Sequence, residues 1–197
     1  MALRVNLNTA ALNAHRQLQQ TDRAMSSSIE KLSSGYRINS ASDDPAGLAI
    51  SENLRSQISG LGQAISNSSD AVNMIKTAEG ALAEVHTLLR TMRDLALHAA
   101  NTGTLDSTSI AADQAQITSS LAALDRISAN TQFGNKKLLD GTASGMTFQV
   151  GANANQTTSL TIQSVAASVL GVSSIDVSSD AQAAITALDT AISTIST

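Results

Sequence analysis

Three histidines, His15, His86 and His98, are the only imidazoles in the 197 residues, and there is no cysteine. They are spaced too far apart for a helical metal pair, which needs ligands one turn apart on one face. The chain has no HExxH string, no GxSxG elbow and no phosphate-cradling glycine loop. Asp43 and Asp44 are neighbouring carboxylates, the arrangement closest to an acid–base pair. Adjacent side chains in a loop diverge, however, and a helix-capping role accounts for them. Asn67-Ser68-Ser69 and Asn155-Gln156-Thr157 match a glycosylation acceptor, a pattern common by chance. No catalytic, metal or cofactor-binding residue is assigned, so the function expected is contact rather than catalysis.

Composition narrows the kind of contact. Lys and Arg total 12 against 16 Asp and Glu, for a net charge of −4. The basic residues are dispersed and none follows Lys137, which argues against nucleic acid as a partner. Without cysteine there are no disulfides, structural zinc sites or thiol chemistry. No apolar run approaches the length of a membrane span, and the N-terminus lacks the charged-then-apolar layout of a cleaved signal peptide. Aromatics make up only 2% of the chain. Apolar contact therefore rests on small and aliphatic side chains, which suit helix seams better than a thick globular core.

Periodicity supplies the elements. Leu7, Ala11, Ala14, Leu18, Thr21, Met25, Ser28 and Leu32 alternate steps of four and three, a heptad seam flanked by Ile29. Alanine at two seam positions leaves this helix weak alone and dependent on partners. A second helix is expected from Pro45 toward Asn101, on the order of 80 Å at the helical rise. Its seam runs through Leu54, Ile58, Leu61, Ile65, Ser68, Val72 and Ile75, then Ala78, Leu82, Val85, Leu89, Met92 and Ala96, with a stammer between Ile75 and Ala78. Gly60, Gly62 and Gly80 weaken this pattern, and a break near Gly60 to Gly62 is weighed against one continuous helix, which is preferred. A third helix over Leu105 to Ala129 uses Ile110, Gln114, Ile117, Leu121, Leu124 and Ser128 and returns antiparallel. Over about 131–165 the period shortens, with strands expected at Thr147–Val150 and Ser159–Ile162 and turns at Gly134-Asn135 and Asp140-Gly141. Ser178, Ser179 and Asp180 cap a fourth helix with Ile185, Leu188, Ile192 and Ile195 on one seam. The fold class expected is mostly α: a long antiparallel helical-rod or coiled-coil bundle with a small β-hairpin region.

The turn between the first two helices is the most specific stretch. Leu32 closes the seam, Gly35 offers the positive φ a helix end needs, and Asp44-Pro45 reads as N-cap and first helical residue. As a string, LSSGYRINSASDDPAGLAIS closely resembles the segment by which bacterial flagellins are identified. The resemblance runs from Met1 to about Gly151, with a weaker echo after Ser178. ThrAlaGluGlyAlaLeu at 77–82 and ThrGlnPhe at 131–133 favour flagellin over the related hook–filament junction protein, the nearest alternative. A non-filament coiled-coil binding module is the alternative of another class.

The resemblance implies a structural subunit of a hollow, self-assembling motility filament. Residues 1–34 would form an inner-tube helix, with Leu3, Val5, Leu7, Leu18, Met25 and Leu32 in self-assembly contacts. Residues 35–46, with Arg37, Asn39, Asp43, Asp44 and Pro45, would be the spoke. Residues 47–178 would be the outer-tube domain, and 179–197 the start of a C-terminal outer-tube helix whose seam stops at Thr197. The expectation is of a chain lacking the C-terminal filament-core helix and unable to build ordinary filaments alone. Implied partners are further copies of the chain, the flagellar export apparatus and its chaperones, and the hook-associated cap and junction proteins. Nucleic acid and membrane insertion are not implied. The location implied is the extracellular filament, reached through the export channel. Leu89, Arg90, Arg93, Leu95 and, on the next helix, Gln116 are similar to the face flagellins offer a Toll-like innate receptor. Arg90-Thr91 stand where receptor-activating members carry glutamine and arginine, and Gln116 stands in place of a glutamate, so weakened recognition is expected. Helix packing is the competing explanation for Leu89 and Leu95.

Overall fold

The computed structural model describes residues 9–196. Leu3, Val5 and Leu7 lie outside the described residues. In chain order the elements are α1 (Thr9–Ser34), α2 (Pro45–Ala99), α3 (Ser107–Asn130), β1 (Gln132–Phe133), β2 (Lys136–Lys137), β3 (Met146–Gln149), β4 (Thr157–Leu160) and α4 (Val177–Ile195). The chain divides into two compact units, one ending at Ser59 and one beginning at Gly60.

In the first unit, α1 stops where expected. Gly35 takes φ +73° and its N–H bonds the Lys31 carbonyl at 3.0 Å, a left-handed residue closing the helix. At the start of α2, Asp44 Oδ1 accepts the Gly47 N–H at 2.9 Å, while Pro45 occupies the first turn, where its missing donor costs nothing. No described residue of α1 is buried.

The second unit holds the core. From α2 come Met74, Ala78, Val85, Leu89, Met92, Ala96 and Ala99; from α3, Ile117 and Leu124; from α4, Ala184, Leu188 and Ala191. The segments between α3 and α4 add Leu138, Leu139, Val165, Leu170, Val172 and Ile175, a contribution that aperiodic sequence conceals. Polar side chains of α3 pin these segments. Gln114 Nε2 donates to the Ile175 carbonyl at 3.0 Å and its Oε1 accepts the Val177 N–H at 2.8 Å. Buried Ser128 donates to the Leu139 carbonyl at 2.7 Å, and Asp125 accepts the Ala167 N–H at 2.9 Å. Each buried backbone group so engaged avoids the cost of leaving water unpaired.

Several details differ from the sequence pattern or go beyond it. The first half of the α2 seam lies open to solvent: Leu54, Ile58, Leu61, Ile65 and Val72 are all exposed. On that stretch the covered face carries small residues instead. Ala64 is buried, Asn67 Nδ2 donates to the Gln149 carbonyl at 3.0 Å, and a Cβ on Gly60 would meet the Ala152 Cβ at 2.9 Å. Gly60 therefore admits the β3–β4 turn, and α2 passes through it and Gly62 unbroken. The second hairpin pairs Met146–Gln149 with Thr157–Leu160, Phe148 facing Thr158, so its second strand lies earlier than expected. Gly134-Asn135 does connect β1 to β2. At α4, Asp176 caps a single turn and Asp180 breaks it at φ −149°, ψ 87°. Asp180 Oδ1 then accepts the Ala183 N–H at 2.9 Å and starts the helix proper.

Candidate assembly surface

The linker residues singled out from the sequence are drawn together by the fold. Lys31 Nζ lies 3.2 Å from Asp43 Oδ1, Asp43 Oδ2 accepts the Asn39 N–H at 3.3 Å, and Asn39 Nδ2 donates to Glu30 Oε1 at 2.8 Å. The Lys31 ammonium, followed by the Asn39 N–H, holds the Asp43 carboxyl below its ordinary value. Asp43 and Asp44 do diverge, but only Asp44 caps α2; Asp43 reaches back to α1. Arg37 is exposed. Two participants had not been singled out: Tyr36, whose ring centroid lies 4.1 Å from the Arg55 guanidinium carbon, and Arg55 itself, also bonded to Glu52 at 2.8 Å. An aromatic in a chain this poor in aromatics was the available signal.

The described seam positions expected to carry assembly are open to solvent: on α1, Leu18 is 63% exposed, Met25 59% and Leu32 84%. On the α2 seam, for which no assembly role was expected, Ile58 is 69% and Ile65 71% exposed. Large aliphatic side chains stand in water here at heptad spacing, and burying each would stabilise by about 1.5–3 kcal/mol.

The residues compared with an innate-receptor face are distributed differently. Leu89 is fully buried in the core, the helix packing weighed for it as the competing explanation. Leu95 is half-buried against the same core. Arg93 Nε is bonded to Asp189 Oδ1 of α4 at 2.6 Å, while Arg90 and Gln116 are exposed. Of the histidines, His98 Nδ1 lies 2.7 Å from Asp113 Oδ2, and His86 Nδ1 is buried without a hydrogen-bond partner. Among the described residues no group of three or more His, Asp or Glu is placed to hold a metal ion, and no helix is long and apolar enough to cross a membrane.

Long helices with exposed apolar seams, a cross-braced linker and a small hairpin region define a mostly helical protein. The family model of the bacterial flagellin N-terminal helical region matches residues 5–144. Flagellin of Bacillus subtilis (strain 168) is 45% identical over 185 residues, covering 88% of this chain and 61% of that protein. Flagellin of Halalkalibacterium halodurans is 42% identical over 200 residues, 98% of this chain and 72% of that one. B-type flagellin of Pseudomonas aeruginosa is 46% identical over 171 residues, 87% of this chain and 35% of that one. The crystal structure of Bacillus cereus flagellin superposes with a TM-score of 0.58 at 28% identity, covering 65% of this chain and 75% of that chain. The chain belongs to the bacterial flagellin family. It spans less than two thirds of the length of the Bacillus subtilis and Pseudomonas aeruginosa relatives.

Proposed function

We propose that this chain is a structural subunit of the bacterial flagellar filament, working by contact with further copies and not as an enzyme. The observation that carries the reading is the unpartnered heptad seam: Leu18, Met25 and Leu32 on α1, and Leu54, Ile58, Leu61 and Ile65 on α2, stand exposed. Membership of the flagellin family supplies the assembly for such seams. Contacts that repeat without closing build a filament rather than a ring.

In this reading residues 1–34 belong to an inner tube, 35–46 to the spoke, 47–178 to the outer tube and 179–197 to its C-terminal helix. Export through the flagellar apparatus with its chaperones precedes assembly, the hook-associated proteins cap and join the filament, and the finished polymer is extracellular. Recognition by a Toll-like innate receptor is weak, because Leu89 is buried and Arg93 is bonded to Asp189.

The test is peptide mass spectrometry on purified extracellular filaments, with swimming assays on a deletion strain. Peptides from across residues 9–196 in washed filaments, together with lost or reduced swimming, are the expected result. Recovery of the protein only from inside cells would overturn the reading and favour the coiled-coil binding module.

A further inference from the structure

Among the side chains that the fold leaves open, one carries oxidisable sulfur. The chain has five methionines, no cysteine and no tryptophan, so its thioethers are the groups that a peroxide attacks first. Met1 lies outside the described residues. Met74 and Met92 are 4% and 0% exposed in the core, and Met146 is half-buried against it. Met25 is 59% exposed. It stands in the middle of the α1 seam, one heptad from Leu18 and one from Leu32, both exposed as well. This accessibility does not depend on α1 holding a helix in the free chain, because a segment without a partner leaves the sulfur open in any conformation.

We propose that Met25 is an oxidative modification site, at which peroxide acts on the chain before incorporation and blocks the α1 seam. In this step the peroxide O–O bond breaks, one oxygen joins the sulfur and the other leaves as water; the thioether loses two electrons and the peroxide gains them. The product carries a polar sulfinyl group where the seam has an apolar, flexible side chain. Burying that oxygen between helices without a donor is unfavourable. The neighbouring seam hydroxyls do not supply one, since Thr21 and Ser28 already donate to the Gln17 and Ala24 carbonyls at 2.9 and 2.8 Å. A thiol-dependent methionine sulfoxide reductase returns the thioether, releasing the oxygen as water and leaving a disulfide on the reductase, so the block is reversible. Burial against a neighbouring copy shields the sulfur, which confines the modification to unassembled chains. The consequence for assembly rests on the filament reading above; the selective oxidation does not.

The test begins with the full chain in dilute hydrogen peroxide at neutral pH, quenched with catalase and mapped by peptide mass spectrometry. Met25 is expected to gain one oxygen at least about ten times faster than Met74 or Met92, with the thermal unfolding midpoint unchanged. Equal rates at the three positions overturn the selective site. The quenched chain is then mixed with a longer flagellin on seeds of that flagellin, and the share of it that sediments with the filaments is measured. The oxidised chain is expected to incorporate roughly tenfold less than the untreated one, and treatment with the reductase restores it. Met25→Leu, apolar and without sulfur, incorporates equally before and after peroxide, whereas Met25→Gln incorporates poorly without any peroxide. An oxidised chain that incorporates like the untreated one, or a Met25→Leu chain that loses as much on peroxide treatment, overturns the block. In filaments already carrying the chain, Met25 oxidises more slowly than in the free chain, and equal rates overturn the shielding. If the untreated chain does not incorporate at all, the filament reading falls and the block falls with it, while the oxidation rates still decide the site.

Discussion

Arg93 of α2 and Asp189 of α4 are joined by a 2.6 Å bond from the guanidinium Nε to the carboxylate Oδ1. The bond links residues 96 positions apart and raises the arginine's pKa still further above its ordinary value, chiefly through the Asp189 hydrogen bond. Arg93 is therefore occupied within the chain, and the neighbouring Leu89 is buried. A cell reporter for the innate receptor should respond less to this protein than to a receptor-activating relative. Asp189→Ala, which frees the guanidinium, should raise the response with little change in the thermal unfolding midpoint, because both partners are substantially solvated. Equal responses from the two proteins and the variant would remove Arg93 from any such face.

The two classes of leucine should separate cleanly on substitution. Leu124 is fully buried in the core, and Leu124→Ala should cost about 2–5 kcal/mol in denaturant unfolding by loss of transfer energy and creation of a cavity. Leu32 is 84% exposed, so Leu32→Ala should leave that unfolding curve within about 0.5 kcal/mol. Its effect should fall instead on incorporation into filaments seeded with a longer flagellin. A Leu32→Ala protein that incorporates like the unaltered one would take the α1 seam out of the assembly surface.

Heptad spacing made the helices legible, and with them the Gly35 stop and the Asp44-Pro45 start, because those signals act locally. Spacing does not say what covers a seam. Val85, Leu89 and Met92 meet α3 and α4 in one core, whereas Leu54 to Val72 repeat the same pattern and remain exposed. The face of α2 that is covered there, around Gly60, Ala64 and Asn67, has side chains too small or too polar to register as hydrophobic periodicity. The segments from Leu138 to Ile175 were likewise obscure, since their burial depends on side-chain bonds from Gln114, Asp125 and Ser128 across long stretches of chain. In the linker the polar residues could be read as turn formers. The stacking of Tyr36 on Arg55 could not, as it joins a loop to a helix by geometry alone.

Two helical glycines should respond in opposite directions to the same change. Glycine in a helix interior costs roughly 1 kcal/mol against alanine. Nothing lies within 4 Å of a Cβ built on Gly62, so Gly62→Ala should stabilise the soluble protein by up to about that amount. At Gly60 the new methyl would meet the Ala152 Cβ at 2.9 Å and its Cα at 3.2 Å. Gly60→Ala should gain nothing or lose stability, and hydrogen exchange should quicken in the β3–β4 turn. Parallel gains at both positions would mean that the turn does not sit on α2.

Acid should loosen the caps and the linker together. Asp106, Asp140 and Asp176 are held below the ordinary carboxylate value, first by the hydroxyls of Ser109, Thr142 and Ser178 and then by backbone N–H groups of the same residues. Asp43 is held down first by Lys31. A carboxylate whose pKa is lower folded than unfolded stabilises the fold fully above its unfolded value of about 4 and loses that contribution as pH falls through the folded value. Stability should therefore be level from neutrality down to about pH 5 with respect to these four groups, then decline below about pH 4. Replacing Asp106 and Asp176 with Asn should lower stability at neutral pH and flatten the acid decline, since the groups that take up the protons are gone. An acid profile as steep in the double variant as in the unaltered protein would assign the decline to other carboxylates.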